Sequence, residues 1–96
     1  MGQKLVIIPT YNELGNIENI LDAVMQLGGD FQVLVVDDNS PDGTADLVKK
    51  KQAEFAGKIH LLEREEKTGL GTAYIAGFKW ALDRDYKFIF EMDADF

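Results

Sequence analysis

The chain contains no cysteine among its 96 residues. That excludes a disulfide framework and any thiolate metal site, and it fits a reducing compartment. It has one histidine, His60, inside an apolar run without a partner motif, so no catalytic role is assigned to it. Basic residues are scarce beside acidic ones: 10 Lys and Arg against 17 Asp and Glu, a formal net charge of -7. This balance excludes a nucleic-acid partner gripped through a basic face. No apolar run reaches membrane-spanning length, and the start, Met1-Gly2-Gln3-Lys4-Leu5, is too short for a signal peptide. Met1-Gly2 opens like a myristoylation site, but position 6 is Val rather than Ser or Thr. What remains is ordinary globular composition, 46% hydrophobic and 28% charged, enough for one small domain.

The apolar pattern alternates between strand and helix. Leu5-Val6-Ile7-Ile8 reads as a strand buried on both faces and ended by Pro9. Ile17, Ile20, Leu21, Val24 and Leu27 form a helical stripe, with Asn16 as the expected cap and Gly28-Gly29 as the stop. Residues 31–36 form a second buried strand. Ser40 before Pro41 reads as the start of a second helix, with Ala45, Val48, Gln52 and Phe55 on one face. The basic run Lys49-Lys50-Lys51 is expected on a solvated face. Residues 59–62 form a third strand, and 63–68 a charged loop. A small-residue helix from Gly69 to about Arg84 carries Tyr74, Phe78 and Trp80, read as core, and residues 87–92 form a fourth strand.

The order βαβαβαβ with short loops predicts an α/β fold, a mostly parallel four-stranded sheet with helices on both faces. Ligands of such sheets bind beyond the strands' carboxyl ends, where strand order reverses. Polar candidates fall after three strands: Thr10-Tyr11-Asn12-Glu13, Asp37-Asp38 and Asp93-Ala94-Asp95. The last is an acid-x-acid pair, suited to a hard divalent cation that holds a diphosphate.

Three functions draw on these residues. A dinucleotide-binding reading uses Gly69-Leu70-Gly71, but Tyr74 stands where the third glycine belongs, and the loop 63–68 separates the glycines from their strand. A phospho-receiver reading uses Asp37-Asp38 with Asp93 or Asp95 as acceptor. It leaves Thr10–Glu13 unexplained, a whole βα unit precedes its acid pair, and Asp93 lies too far along the chain. It stands as the alternative from another class: a nucleotide-binding or signalling module without catalysis.

The third accounts for all the blocks. Ile7-Ile8-Pro9-Thr10-Tyr11-Asn12-Glu13, then Val35-Val36-Asp37-Asp38-Asn39-Ser40-Pro41-Asp42-Gly43-Thr44, then Gly69-Leu70-Gly71-Thr72-Ala73-Tyr74-Ile75-Ala76-Gly77, then Met92-Asp93-Ala94-Asp95 resemble the polyprenol (dolichol) phosphate mannosyltransferases of glycosyltransferase family 2. Phe96 stands where leucine is expected. The resemblance implies a three-layer Rossmann-like GT-A fold. Residues 1–96 would be its nucleotide-sugar-binding part, cut after the DxD motif, with the acceptor half beyond it and this piece alone inactive.

The resemblance also implies roles. Pro9, Tyr11 and Glu13 would line the nucleotide pocket; Asp38 and the Val36 backbone would read the base, and Asp37 would brace the loop. Asp93 and Asp95 would be catalytic and hold Mg2+ or Mn2+, Ala94 lying against the donor. The reaction would move mannose from GDP-mannose to a polyprenyl phosphate with inversion, or another sugar from a donor such as UDP-glucose. The complete protein would work at the cytoplasmic face of a membrane. The fourth strand is expected to be an open edge, inviting self-association.

Overall fold

The computed structural model of the chain describes residues 4–27, 30–65 and 70–93. The elements are β1 (Lys4–Thr10), α1 (Leu14–Gln26), β2 (Phe31–Asp37), α2 (Thr44–Glu54), β3 (Ile59–Glu63), α3 (Leu70–Leu82) and β4 (Phe88–Glu91). The four strands form one sheet in the order β3-β2-β1-β4, and every pairing is parallel. The mostly parallel expectation is met in full.

Alternation along the strands divides the core in two. Val6, Ile8, Val33, Val35 and Ile59 face one side, against Ile17, Ile20, Leu21 and Val24 of α1 and Val48 of α2. Leu5, Ile7, Leu34 and Val36 face the other, against Ala73 and Ala81 of α3. Strands buried on both faces explain the continuous apolar runs in the sequence. Tyr74, Phe78 and Trp80 pack against this second core, as their aromatic character led one to expect. The small residues of α3 bring it close to the sheet: a Cβ added at Gly77 would lie 2.7 Å from Cγ2 of Ile7.

Several local expectations are corrected. Pro9 does not end β1, which runs on to Thr10 with Pro9 paired to Val36. Ile7 O accepts the Met92 N–H, so alternation turns Pro9 N towards the β4 side, beyond the last β1–β4 pair, where no ladder bond is lost. Asn16 is not the cap of α1; Glu13 holds that position without a side-chain cap bond. Nor does α2 begin at Ser40-Pro41. It begins at Thr44, after Gly43 in the left-handed region at φ 91°. Lys51 is no solvated lysine: it is 5% exposed, and its ammonium meets Asp22 at 2.8 Å, Glu54 at 3.2 Å and Glu18 at 3.3 Å, tying α2 to α1. Gly28, Gly29 and Gly69, read from the sequence as helix punctuation, lie outside the described residues.

Candidate functional site

The carboxyl ends of β1 and β2 are locked by one carboxylate. Asp37 is 1% exposed. It accepts hydrogen bonds from the Thr10 hydroxyl at 2.7 Å, the Ser40 hydroxyl at 2.6 Å and the Ser40 N–H at 3.0 Å. Asp37 thus braces the loop, the role expected of it. The Ser40 oxygen in turn accepts the Asn12 N–H at 2.8 Å.

Asp42 and Thr44 extend this stitching. The Thr44 hydroxyl accepts the Glu13 N–H at 3.1 Å and donates to Asp42 Oδ1 at 2.5 Å. Asp42 Oδ1 also accepts the Thr44 N–H, and Oδ2 accepts the Leu14 N–H at 3.1 Å. One carboxylate therefore serves the unsatisfied first-turn donors of two helices, α1 and α2. This is why α1 begins without a local cap. Burial pushes the Asp42 carboxyl up, but the bonds from Thr44 and Leu14 outweigh it and hold it below the ordinary value. Asn12 and Asn39 adopt left-handed backbone at φ 56° and 57°, which asparagine tolerates better than most residues. The segment after β1 is thereby fixed by the segment after β2.

The expected site residues take distinct places on this rim. Tyr11 is 37% exposed, and Glu13 is half-buried at the start of α1. Pro9 and Val36 are a buried pair within the β1–β2 ladder. Asp38 is buried, and its N–H donates to Thr10 O at 3.1 Å. Asp93 follows β4, the neighbour of β1 on the other side, and is exposed. Because β2 and β4 flank β1 while the chain visits them on opposite excursions, strand order reverses here. Ala94 and Asp95 lie outside the described residues.

Two partners escape a reading of the sequence. Arg64, just past β3, makes a bidentate pair with Asp38: Nε to Oδ1 at 2.6 Å and Nη2 to Oδ2 at 2.9 Å. Its N–H donates to Asp37 O at 2.8 Å, and Nη2 reaches Thr72 Oγ1 at 3.1 Å. The bond to Asp38 is the main cause that raises the Arg64 guanidinium above its ordinary value. One signal for it is present in the sequence: Arg64 follows β3 as Asp38 follows β2. The second partner is Tyr74, whose hydroxyl donates to Asp93 Oδ1 at 2.9 Å. Burial, then the Asp93 bond and the charges of Asp93 and Glu91, push this phenol up to about 12.

Among the described residues there is no group of three or more His, Cys, Asp or Glu side chains that could hold a metal ion. Mg2+ and Mn2+ at phosphate sites take one or two carboxylates and complete their shell with phosphate oxygens and water. An exposed Asp93 carboxylate, oriented by Tyr74, fits that kind of donor set. No helix among the described residues is long and apolar enough to cross a membrane.

Residues 5–96 match the family model described as glycosyl transferase family 2. The chain is 47% identical over 93 residues to the polyprenol monophosphomannose synthase of Mycolicibacterium smegmatis, covering 97% of this chain and 35% of that protein. It is 50% identical over 91 residues to the undecaprenyl-phosphate mannosyltransferase of Micrococcus luteus, covering 95% and 37%. The chain thus spans about a third of the length of these relatives. Among solved structures, it resembles the mannosyltransferase PcManGT from Pyrobaculum calidifontis in complex with GDP-Man and Mn2+. The TM-score is 0.70 at 33% identity, over 82% of this chain and 24% of that one. S. aureus TarS, solved alone and with UDP, superposes with a TM-score of 0.83 at 27% identity, over 97% of this chain and 27% of that one.

Proposed function

The chain belongs to glycosyl transferase family 2, and from that premise we propose that it forms the donor-binding part of an enzyme that transfers mannose from GDP-mannose to a polyprenyl phosphate. The carrying observation is the convergence of Tyr11, Glu13 and Asp38 at the ends of β1 and β2, with Asp93 at the end of β4. The two relatives are named for mannosyl transfer to polyprenyl carriers, and PcManGT was solved with GDP-Man and Mn2+.

The residues fit the parts of this donor. Tyr11 presents a partly exposed ring for a base. Asp38 carries acceptor oxygens suited to the N–H donors of a guanine edge, and Arg64 keeps that carboxylate oriented. Asp93 and Asp95 would hold Mg2+ or Mn2+, with Ala94 against the donor between them. Such an ion stabilises the negative charge that develops on a leaving nucleoside diphosphate. Tyr74 holds Oδ1 of Asp93 and so limits how that carboxylate turns.

The acceptor phosphate attacks the anomeric carbon from the face opposite the diphosphate, giving inversion. A phosphate monoester, with a second pKa of about 6, is mostly dianionic at neutral pH and needs no protein base. This agrees with the place of His60, which is engaged with Gln32 in the sheet away from the rim. A uridine donor is the second reading, favoured by the likeness to TarS, which was solved with UDP. Attachment at the cytoplasmic face of a membrane belongs to the same proposal for the longer protein.

The test is hexosyl transfer to a polyprenyl phosphate by the longer enzyme with Mn2+, given GDP-mannose or UDP-glucose as the donor. Transfer from GDP-mannose that disappears in Asp95→Asn supports the reading. Unchanged activity in that variant removes Asp95 from the metal site, and preference for UDP-glucose replaces the donor.

A further inference from the structure

The fork between Arg64 and Asp38 limits what Asp38 can offer a ligand. Arg64 Nε donates to Oδ1 at 2.6 Å and Nη2 to Oδ2 at 2.9 Å, so each carboxylate oxygen already holds one bond. A carboxylate has about four lone-pair sites, shared between its two oxygens. A two-bond fork takes the inner site of each oxygen, because only those two run parallel. The outer sites that remain point to opposite sides of the carboxylate.

Arg64 is fastened at other points as well. Its backbone N–H donates to Asp37 O at 2.8 Å, and Nη2 also reaches Thr72 Oγ1, in the first turn of α3, at 3.1 Å. The side chains of Asp38 and Arg64 keep only 6% and 17% exposure. Drawing the guanidinium away would leave both charges poorly solvated and without their partner. A guanine edge presents two parallel donors, the ring N1–H and the exocyclic 2-amino group. Gripping both at once needs the same two inner sites that Arg64 occupies.

We infer, on the reading of Asp38 as the base contact, that it accepts one N–H from the base and leaves the guanine 2-amino group unread, because Arg64 holds the lone pairs that group would need. Arg64 is thus a specificity-determining residue that acts through Asp38. A ring N–H beside a carbonyl is common to guanine, hypoxanthine and uracil, and the locked carboxylate suits all three alike. Selection among them falls to other groups of the rim. Arg64 broadens the base readout at this position while it holds the carboxylate in place.

The test is calorimetric binding of GDP and of inosine diphosphate to the longer enzyme with Mn2+. The two ligands differ only in the 2-amino group. Comparing their affinity ratio between variants cancels any contact that group makes elsewhere. In Arg64→Met both inner sites open to guanine, and the ratio is expected to rise about tenfold in favour of GDP, the worth of one hydrogen bond to a charged acceptor. In the double variant, Arg64→Met with Asp38→Leu, the acceptor is gone and the ratio returns to that of the unaltered enzyme. A ratio unchanged in Arg64→Met overturns the inference, and so does a rise that persists in the double variant. The structure of the unaltered enzyme with GDP decides the matter without any variant. The fork intact with one guanine N–H on Asp38 supports the inference, and any other arrangement of the base and Asp38 overturns it. If the unaltered enzyme binds neither nucleotide, the donor reading falls and the inference with it.

Discussion

The hydroxyl of Thr10 donates to the buried carboxylate of Asp37 at 2.7 Å, joining the ends of two adjacent strands that are 27 residues apart in the chain. Asp37 also takes both donors of Ser40. Asp37→Ala leaves three donors without their acceptor and is expected to cost about 2–4 kcal/mol. Thr10→Val removes one bond and one hydroxyl together, and is expected to cost about 1 kcal/mol. Urea unfolding at neutral pH measures both. Equal small losses would mean that the ends of β1 and β2 are held by the ladder alone.

Arg64 closes its fork on a carboxylate that is only 6% exposed. Removing Arg64 leaves that charge buried without its cation. Fully buried pairs lose roughly 3–5 kcal/mol in this way; Arg64 keeps some solvent, so Arg64→Met is expected to cost about 2 kcal/mol. Pairing Arg64→Met with Asp38→Leu recovers most of the loss, because neither charge then remains. A double variant as unstable as Arg64→Met alone would place the cost elsewhere than in the pair.

Much of the fold is legible in the sequence, and the reason is physical. Runs such as Val33-Leu34-Val35-Val36 are apolar at every position because both faces of β2 are covered, and few other arrangements produce that pattern in so short a run. The start of α1 is not legible because its cap comes from elsewhere: Asp42 satisfies Leu14 across 28 residues, and no local window contains that bond. Lys51 is hidden for a similar reason. Its three carboxylates include Glu18 and Asp22 on another helix, so a run of three lysines looks solvated. The rim is legible as a set of acids after strands. Arg64 and Tyr74 are not, because their roles depend on which strand ends become neighbours.

His60 is expected to contribute to the pH response near neutrality. Its Nε2 lies 2.8 Å from Gln32 Oε1 and 3.5 Å from the Tyr86 hydroxyl; its ring lies 5.0 Å from that of Trp80, over which Arg84 is stacked. Burial first, and the Arg84 charge second, hold this imidazole below its ordinary value of 6.5. The unfolded chain therefore takes up a proton at a higher pH than the folded one. The contribution is fully present above about 6.5 and is lost as pH falls through the folded value. The urea midpoint is expected to drop between about pH 7.5 and 5.5, and His60→Gln to flatten that slope. A slope unchanged in His60→Gln would assign it to other groups.

Tyr74 should be the late-titrating tyrosine. Its phenol is pushed up to about 12 by burial and by Asp93. Difference spectra of the chain and of Tyr74→Phe isolate its ionisation. Asp93→Asn removes the charge and should move that ionisation down towards the ordinary value of 10.0. No movement would mean that the Tyr74–Asp93 bond does not form in solution.

The claim that the carboxyl rim holds a nucleotide is tested most directly by amide chemical-shift mapping of the isotope-labelled chain, titrated with GDP and Mg2+. The expected result is saturable movement at Tyr11, Asn12, Glu13, Asp38, Asn39 and Asp93, reduced when Mg2+ is withheld. Movement confined to Gln32, His60 and Trp80, at the opposite end of the strands from the rim, or no movement at any concentration, would contradict it.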